Sequence, residues 1–226
     1  NLNLGCPSGT VVAKRKGSGF LAYPEELDRF LDNIYSKLDM KISVKTRIGK
    51  TSPDEFHRLI EIYNKYPLEE LIVHPRLQTD FYKNKPNLQI FKEAVEMSRH
   101  SLCYNGDIYT VEDFQKFSEH FPTVEKIMCG RGAVANPSLF DAIANGKKLD
   151  INTLKKFHDD IYMDYQEISS GERNVLFKMK ELWSYLIQSF DHAEKYMKKI
   201  KKSEKLLAYE KAVSDLFANC PLKKGI

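Results

Sequence analysis

No stretch of this 226-residue sequence is apolar for long enough to cross a membrane as a helix. Its four cysteines (Cys6, Cys103, Cys129 and Cys220) lie far apart, with no CxxC pair and no zinc-site spacing. They read as reduced thiols in a cytosolic protein, three of them on or beside strands as small buried hydrophobes. No Gly-x-Gly-x-x-Gly run joins a strand to a helix, so a dinucleotide-binding doubly wound sheet lacks its fingerprint. The nearest match, Gly17-Ser18-Gly19, does not stand in that context. Charge of either sign is not in large excess: the net of +4 permits a polyanionic partner without demanding one. What remains is ordinary globular composition, 42% hydrophobic and 29% charged, enough for one large or two modest domains.

The chain opens on an alternating run that stops abruptly in Gly5-Cys6-Pro7. Leu2 and Leu4 suit one face of a short strand, and Pro7 cannot continue a sheet ladder. Cys6 is thereby offered at a strand tip, where a thiol can meet a ligand. Further strands are expected over 41–47, 71–74, 101–104 and 125–129, and helices over 24–38, 53–66, 87–99, 110–120 and 137–145. This alternation indicates βαβ units and a parallel sheet. Polar residues fall repeatedly at the C-terminal strand ends, where a (β/α)8 barrel carries its active site. From residue 150 the strand signals vanish. Helices fit 151–169, 172–189, 192–202 and 203–219, and Leu176, Met179, Leu182, Trp183 and Leu186 mark a buried face.

Several residues are placed for chemistry. Alternation puts Ser43, Lys45 and Arg47 on one strand face, opposite Ile42, Val44 and Thr46. If the apolar face packs on helices, Lys45 and Arg47 point into the barrel mouth, where a buried ammonium calls for an anion. His74 ends a strand, with Arg76 two residues on and a long polar loop behind it. Asn105-Gly106-Asp107 and Gly130-Arg131-Gly132 close the last two strands, and such glycine turns can wrap a phosphate. Plain turn chemistry would use the same residues. Lys198, Lys199, Lys201 and Lys202 form a basic run that suits either phosphate contact or a solvated helix face.

Five segments together, Asn3-Leu4-Gly5-Cys6-Pro7, Lys45-Thr46-Arg47-Ile48-Gly49, Val73-His74-Pro75-Arg76, Asn105-Gly106-Asp107 and Gly130-Arg131-Gly132-Ala133, resemble the tRNA-dihydrouridine synthases in order and spacing. The resemblance implies a flavin-binding (β/α)8 TIM barrel over 1–149 and an all-α domain over 150–226 that helps hold tRNA. It implies FMN as cofactor and NADPH as its reductant, with hydride passing to C6 of a uracil while Cys6 protonates C5. It assigns Lys45, His74, Asn105, Gly106, Asp107, Gly130 and Arg131 to FMN. Asn3 is similar to a contact to the flavin or the substrate base and Arg76 to a contact to FMN or RNA, both placed on the substrate side together with the basic run Lys198, Lys199, Lys201 and Lys202. The target base must be turned out of the folded RNA to reach such a site. A cytoplasmic monomer with no metal and no membrane is expected.

Two departures accompany the match. In the family, Asn-x-Gly-Cys-Pro ends the fourth strand, so this sequence is expected to be the C-terminal five βα units of a longer barrel. His74-Pro75 also replaces the more usual His-Gly. The competing readings are an FMN-barrel oxidoreductase acting on a free pyrimidine, similar to dihydroorotate dehydrogenases, and a non-catalytic RNA-binding fragment.

Overall fold

The computed structural model describes residues 1–223. In chain order its elements are β1 (Leu2–Leu4), α1 (Gly9–Val12), α2 (Pro24–Tyr35), β2 (Ser43–Arg47), α3 (Glu55–Tyr63), β3 (Glu70–His74) and α4 (Leu88–Met97). Then follow β4 (Leu102–Tyr104), α5 (Val111–His120), β5 (Lys126–Ile127), α6 (Arg131–Ala135) and α7 (Leu139–Asn145). The helices α8 (Ile151–Ile168), α9 (Glu172–Leu186), α10 (Glu194–Lys202) and α11 (Leu206–Asn219) complete the set. Gly17–Ala22 forms a 3-10 segment between α1 and α2.

Local chemistry explains the boundaries. Pro24 takes the first turn of α2, where its missing N–H costs nothing, and Glu25 and Glu26 favour the positive helix end. Asn87 caps α4 by accepting from Ile90 N at 3.1 Å. Asp150 caps α8 through Asn152 N at 2.9 Å and Thr153 N at 3.0 Å.

The chain is an α/β protein. All five strands pair in parallel, in the order β1-β2-β3-β4-β5. Each strand neighbours the next in sequence, and the order never reverses. A doubly wound sheet would reverse at its switch point.

The chain divides into two compact units, Asn1–Asp107 with Ser118–Met128, and Ile108–Phe117 with the residues from Cys129 on. In the first, Val44, Thr46, Leu71 and Val73 are fully buried on one sheet face. The fully buried Phe56, Leu59, Ile60 and Tyr63 of α3 belong to the same core, and Tyr63 Oη meets Thr46 Oγ1 at 2.9 Å. Phe91 of α4 packs edge-on against Tyr104, 4.9 Å between ring centres.

The second unit has its own core around Leu176, Met179, Trp183, Leu186 and Leu216. A polar chain runs through it. Trp183 Nε1 donates to the Tyr209 hydroxyl at 2.9 Å, and that oxygen lies 2.6 Å from His158 Nε2. An indole N–H only donates, so the tyrosine proton goes to the imidazole. His158 Nδ1 in turn faces Asp159 at 2.8 Å. Burial lowers the His158 pKa, with Asp159 opposing.

Candidate active site

Register gathers the candidate residues on the sheet face opposite the helix-covered one. Asn3 is paired with Lys45, Lys45 with Ile72, and Ile72 with Cys103. Arg47 is paired with His74. Residues in one row share a face, and the face repeats every second residue. Asn3, Lys45, Arg47, His74 and Cys103 therefore lie on one side, and Val44, Thr46 and Val73 on the other.

Cys6 follows β1 as a half-buried free thiol. Its main chain is held on both sides. Asn3 Oδ1 accepts from the backbone N–H of Gly5 at 3.0 Å and of Cys6 at 3.1 Å. The Cys6 carbonyl accepts from Ser18 N at 3.0 Å and Ser18 Oγ at 2.8 Å. Gly17, in the left-handed region at φ +54°, lies against the same residue.

Lys45 stands half-buried in the middle of β2. Among the described residues its Nζ has no hydrogen-bond or ion-pair partner. Burial, helped by the neighbouring Arg47 charge, pulls its pKa down to about 8. An anion placed beside it would raise that pKa again.

Arg47 corrects the expectation that it joins Lys45 in waiting for an anion. It is 1% exposed, and its guanidinium is spent on main-chain oxygens. Nε donates to Gly5 O at 3.0 Å, Nη1 to Leu77 O at 2.7 Å and Nη2 to Phe81 O at 2.8 Å. It ties the tip of β1 to the loop after β3. Phe81 in that loop has φ +51°, a strained value for a large side chain, and the Arg47 bond falls on this residue.

His74 and Arg76 form a second buried group. Arg76 Nη1 lies 2.9 Å from His74 Nε2. Guanidinium only donates, so Nε2 accepts and the imidazole proton sits on Nδ1. Arg76 also grips Asp107 through both terminal nitrogens, Nη1 to Oδ1 at 3.0 Å and Nη2 to Oδ2. The structure therefore places Arg76 and Asp107 on each other, and it fastens the loop after β4 to the loop after β3. Asn105 Nδ2 donates to Met128 O at 2.7 Å and ties together the ends of β4 and β5. At Gly106 a side chain would run into the Tyr104 ring.

The remaining candidates lie in the second unit. Gly130 is the N-cap residue of α6, with nothing within 4 Å of where a Cβ would stand. Arg131 lies over the Tyr109 ring at 5.7 Å. Lys198, Lys199, Lys201 and Lys202 are all exposed on α10, opposite the buried Tyr196, Met197 and Ile200. Lys199 also pairs with Asp215 at 3.8 Å.

Sequence reasoning missed Gly17 and Ser18 as neighbours of Cys6. Weighed only as part of a nucleotide motif, they carried no sign of a return to the strand tip twelve residues earlier. Tyr82 was missed as well; its ring lies 6.0 Å from the His74 ring and 5.5 Å from the Arg47 guanidinium.

The structure is thus an α/β protein in which the Cys6 thiol follows β1, the Lys45 ammonium stands in the middle of β2 and the His74 imidazole ends β3. The sequence profile of the dihydrouridine synthase (Dus) family matches residues 1–223, and the chain belongs to that family. It is 30% identical over 150 residues to a tRNA-dihydrouridine(16) synthase of Pseudomonas syringae pv. tomato, covering 66% of this chain and 47% of that protein. It is 27% identical over 155 residues to tRNA-dihydrouridine synthase B of Vibrio parahaemolyticus, covering 66% and 48%. A tRNA-dihydrouridine(16) synthase of the same Vibrio species matches at 24% over 213 residues, covering 91% and 64%. The chain spans about half the length of the first two relatives.

Proposed function

We propose that this chain carries the proton-donating and cofactor-holding part of an enzyme that reduces uridine in tRNA to 5,6-dihydrouridine. The observation that carries the reading is the Cys6 thiol, held at the tip of β1 while the unpartnered Lys45 ammonium stands on β2 in register with Asn3. The names of the relatives supply the substrate class.

The chain's five βα units are read as part of a flavin-binding (β/α)8 barrel, a reading supported by the unreversed strand order. The residues fit FMN. Lys45 would offer a cation to the electron-rich edge of the ring, and His74, its tautomer set by Arg76, is read as a further flavin contact. Asn105-Gly106-Asp107 in the first unit and Gly130-Arg131 in the second, the latter with open space at Gly130, are each read as turns that contact FMN. Asp107 would serve there by holding Arg76 rather than by touching the anion, since two negative groups repel. FMN, reduced by NADPH, would supply the hydride for C6 of the uracil.

Cys6 supplies the other half of the addition. Its S–H bond breaks as the proton goes to C5, and the thiolate left behind is reprotonated from solvent. Asn3, through its oxygen, keeps the Cys6 N–H turned inward, and its amide N–H groups can meet the base. The helices α8 to α11 are read as the part that holds tRNA, with Lys198, Lys199, Lys201 and Lys202 facing the phosphates.

Nucleoside analysis by mass spectrometry tests this. The full natural protein, given unmodified tRNA and NADPH, should yield dihydrouridine. Cys6→Ala should keep flavin content and NADPH oxidation while dihydrouridine formation falls at least about a hundredfold. Normal product from Cys6→Ala would remove the general-acid role, and no product from the unaltered protein would remove the activity.

A further inference from the structure

The Cys6 carbonyl has a partner with no direct part in the proton transfer. We propose that Ser18 is a positioning residue for Cys6, setting where its thiol points. The proposal rests on the general-acid reading of Cys6.

Cys6 lies outside every ladder of the sheet, because β1 ends at Leu4 and Pro7 has no N–H to continue it. Its peptide groups must be held by something other than a strand. Asn3 takes the N–H. Ser18 takes the carbonyl twice, through its backbone N–H at 3.0 Å and its hydroxyl at 2.8 Å. Ser18 is fully buried, so no water can replace its hydroxyl there. Gly17 closes the third side. A methyl group on Gly17 would stand 2.7 Å from the Cys6 oxygen and 3.0 Å from Cys6 Cβ.

Three constraints therefore converge on one residue, and they leave the side chain of Cys6 as its free part. A proton donor must lie within hydrogen-bond reach of the carbon it serves, and an error near 1 Å costs up to about a hundredfold in rate. A serine that served only to hold the 17–22 segment would need no second bond to the acid's own carbonyl.

The test compares Ser18→Ala, Ser18→Cys and Cys6→Ala in the full natural protein. For Ser18→Ala, the single-turnover rate of uridine reduction should fall roughly tenfold, with a larger slowing in D2O, while tRNA Kd and flavin reduction by NADPH stay unchanged. In the flavin-free protein, the rate of Cys6 alkylation by iodoacetamide should change by at least about threefold while Tm stays constant, which separates a repositioned thiol from a general loss of stability. Ser18→Cys, a weaker donor of similar shape, should fall in between and decides the matter if the alanine variant does not fold. Full turnover and unchanged alkylation in Ser18→Ala, or losses that only track Tm, would overturn the proposal. If Cys6→Ala itself reduces uridine normally, the general-acid reading fails instead.

Discussion

Arg47 Nη2 donates to the main-chain oxygen of Phe81 at 2.8 Å, joining a fully buried cation on β2 to a residue held in left-handed backbone. Two further bonds from the same guanidinium reach Gly5 and Leu77. Arg47→Leu should leave three carbonyls without their donor and cost about 2–4 kcal/mol. Urea unfolding would measure this. Lysine should not rescue it, because one ammonium cannot match a three-way fork. A variant as stable as the parent would mean that the loop holds itself.

If Lys45 meets the flavin as proposed, flavin binding should depend on pH. The lysine's pKa is drawn down to about 8, and a bound anion would raise it again. Affinity should be level below pH 8 and weaken as pH rises through it, up to about tenfold per unit until the bound-state pKa is reached. The folding side has the opposite sense. The unfolded chain holds the proton up to its higher ordinary pKa, so the flavin-free protein gains stability between about pH 8 and 10.5. Lys45→Met should stabilise the flavin-free protein by about 1–3 kcal/mol and remove the pH dependence of flavin binding. Flavin titrations at pH 7 and 9.5 check the binding side, and urea unfolding of the flavin-free protein checks the other.

Reversing the charge of Lys198, Lys201 and Lys202 should weaken tRNA binding and flatten its salt dependence, by about one unit of log–log slope for each phosphate left unneutralised. Lys199, already paired with Asp215, should contribute less. Filter binding across a salt series reads the slope, and an unchanged value would leave these lysines as a solvated face.

Tyr209→Phe removes the hydroxyl that serves both Trp183 and His158. Two buried ring nitrogens would then have no partner, at a cost of about 2–4 kcal/mol to the helical unit. Thermal melting followed by Trp183 fluorescence reports it, and a melt within a degree of the parent would contradict the network.

The strands were legible because apolar runs such as Leu71-Ile72-Val73 end in polar residues. All five lie where alternation placed them, though β5 shrinks to Lys126–Ile127. Helix starts with a proline or a side-chain cap, at Pro24, Asn87 and Asp150, were equally plain. The turn of helix beginning at Arg131 was not, since Gly130-Arg131-Gly132 reads as turn chemistry. At the candidate site, residue types singled out Cys6, Lys45 and His74 as candidates. Partners did not follow from type. Nothing in the sequence distinguishes Lys45, which has no partner among the described residues, from Arg47, whose partners are carbonyls 30 to 42 positions away.

The unreversed strand order has a consequence for assembly on the ribosome. Each strand needs only its immediate predecessor in the chain as a template, so the sheet can grow from one edge as synthesis proceeds. The fastening of Gly5 to Arg47 becomes possible once β2 has emerged, and the grip of Arg76 on Asp107 follows with the stretch after β4. The sheet's strand-end fastenings can thus form in stages, the last Arg47 bonds waiting for Leu77 and Phe81 beyond β3.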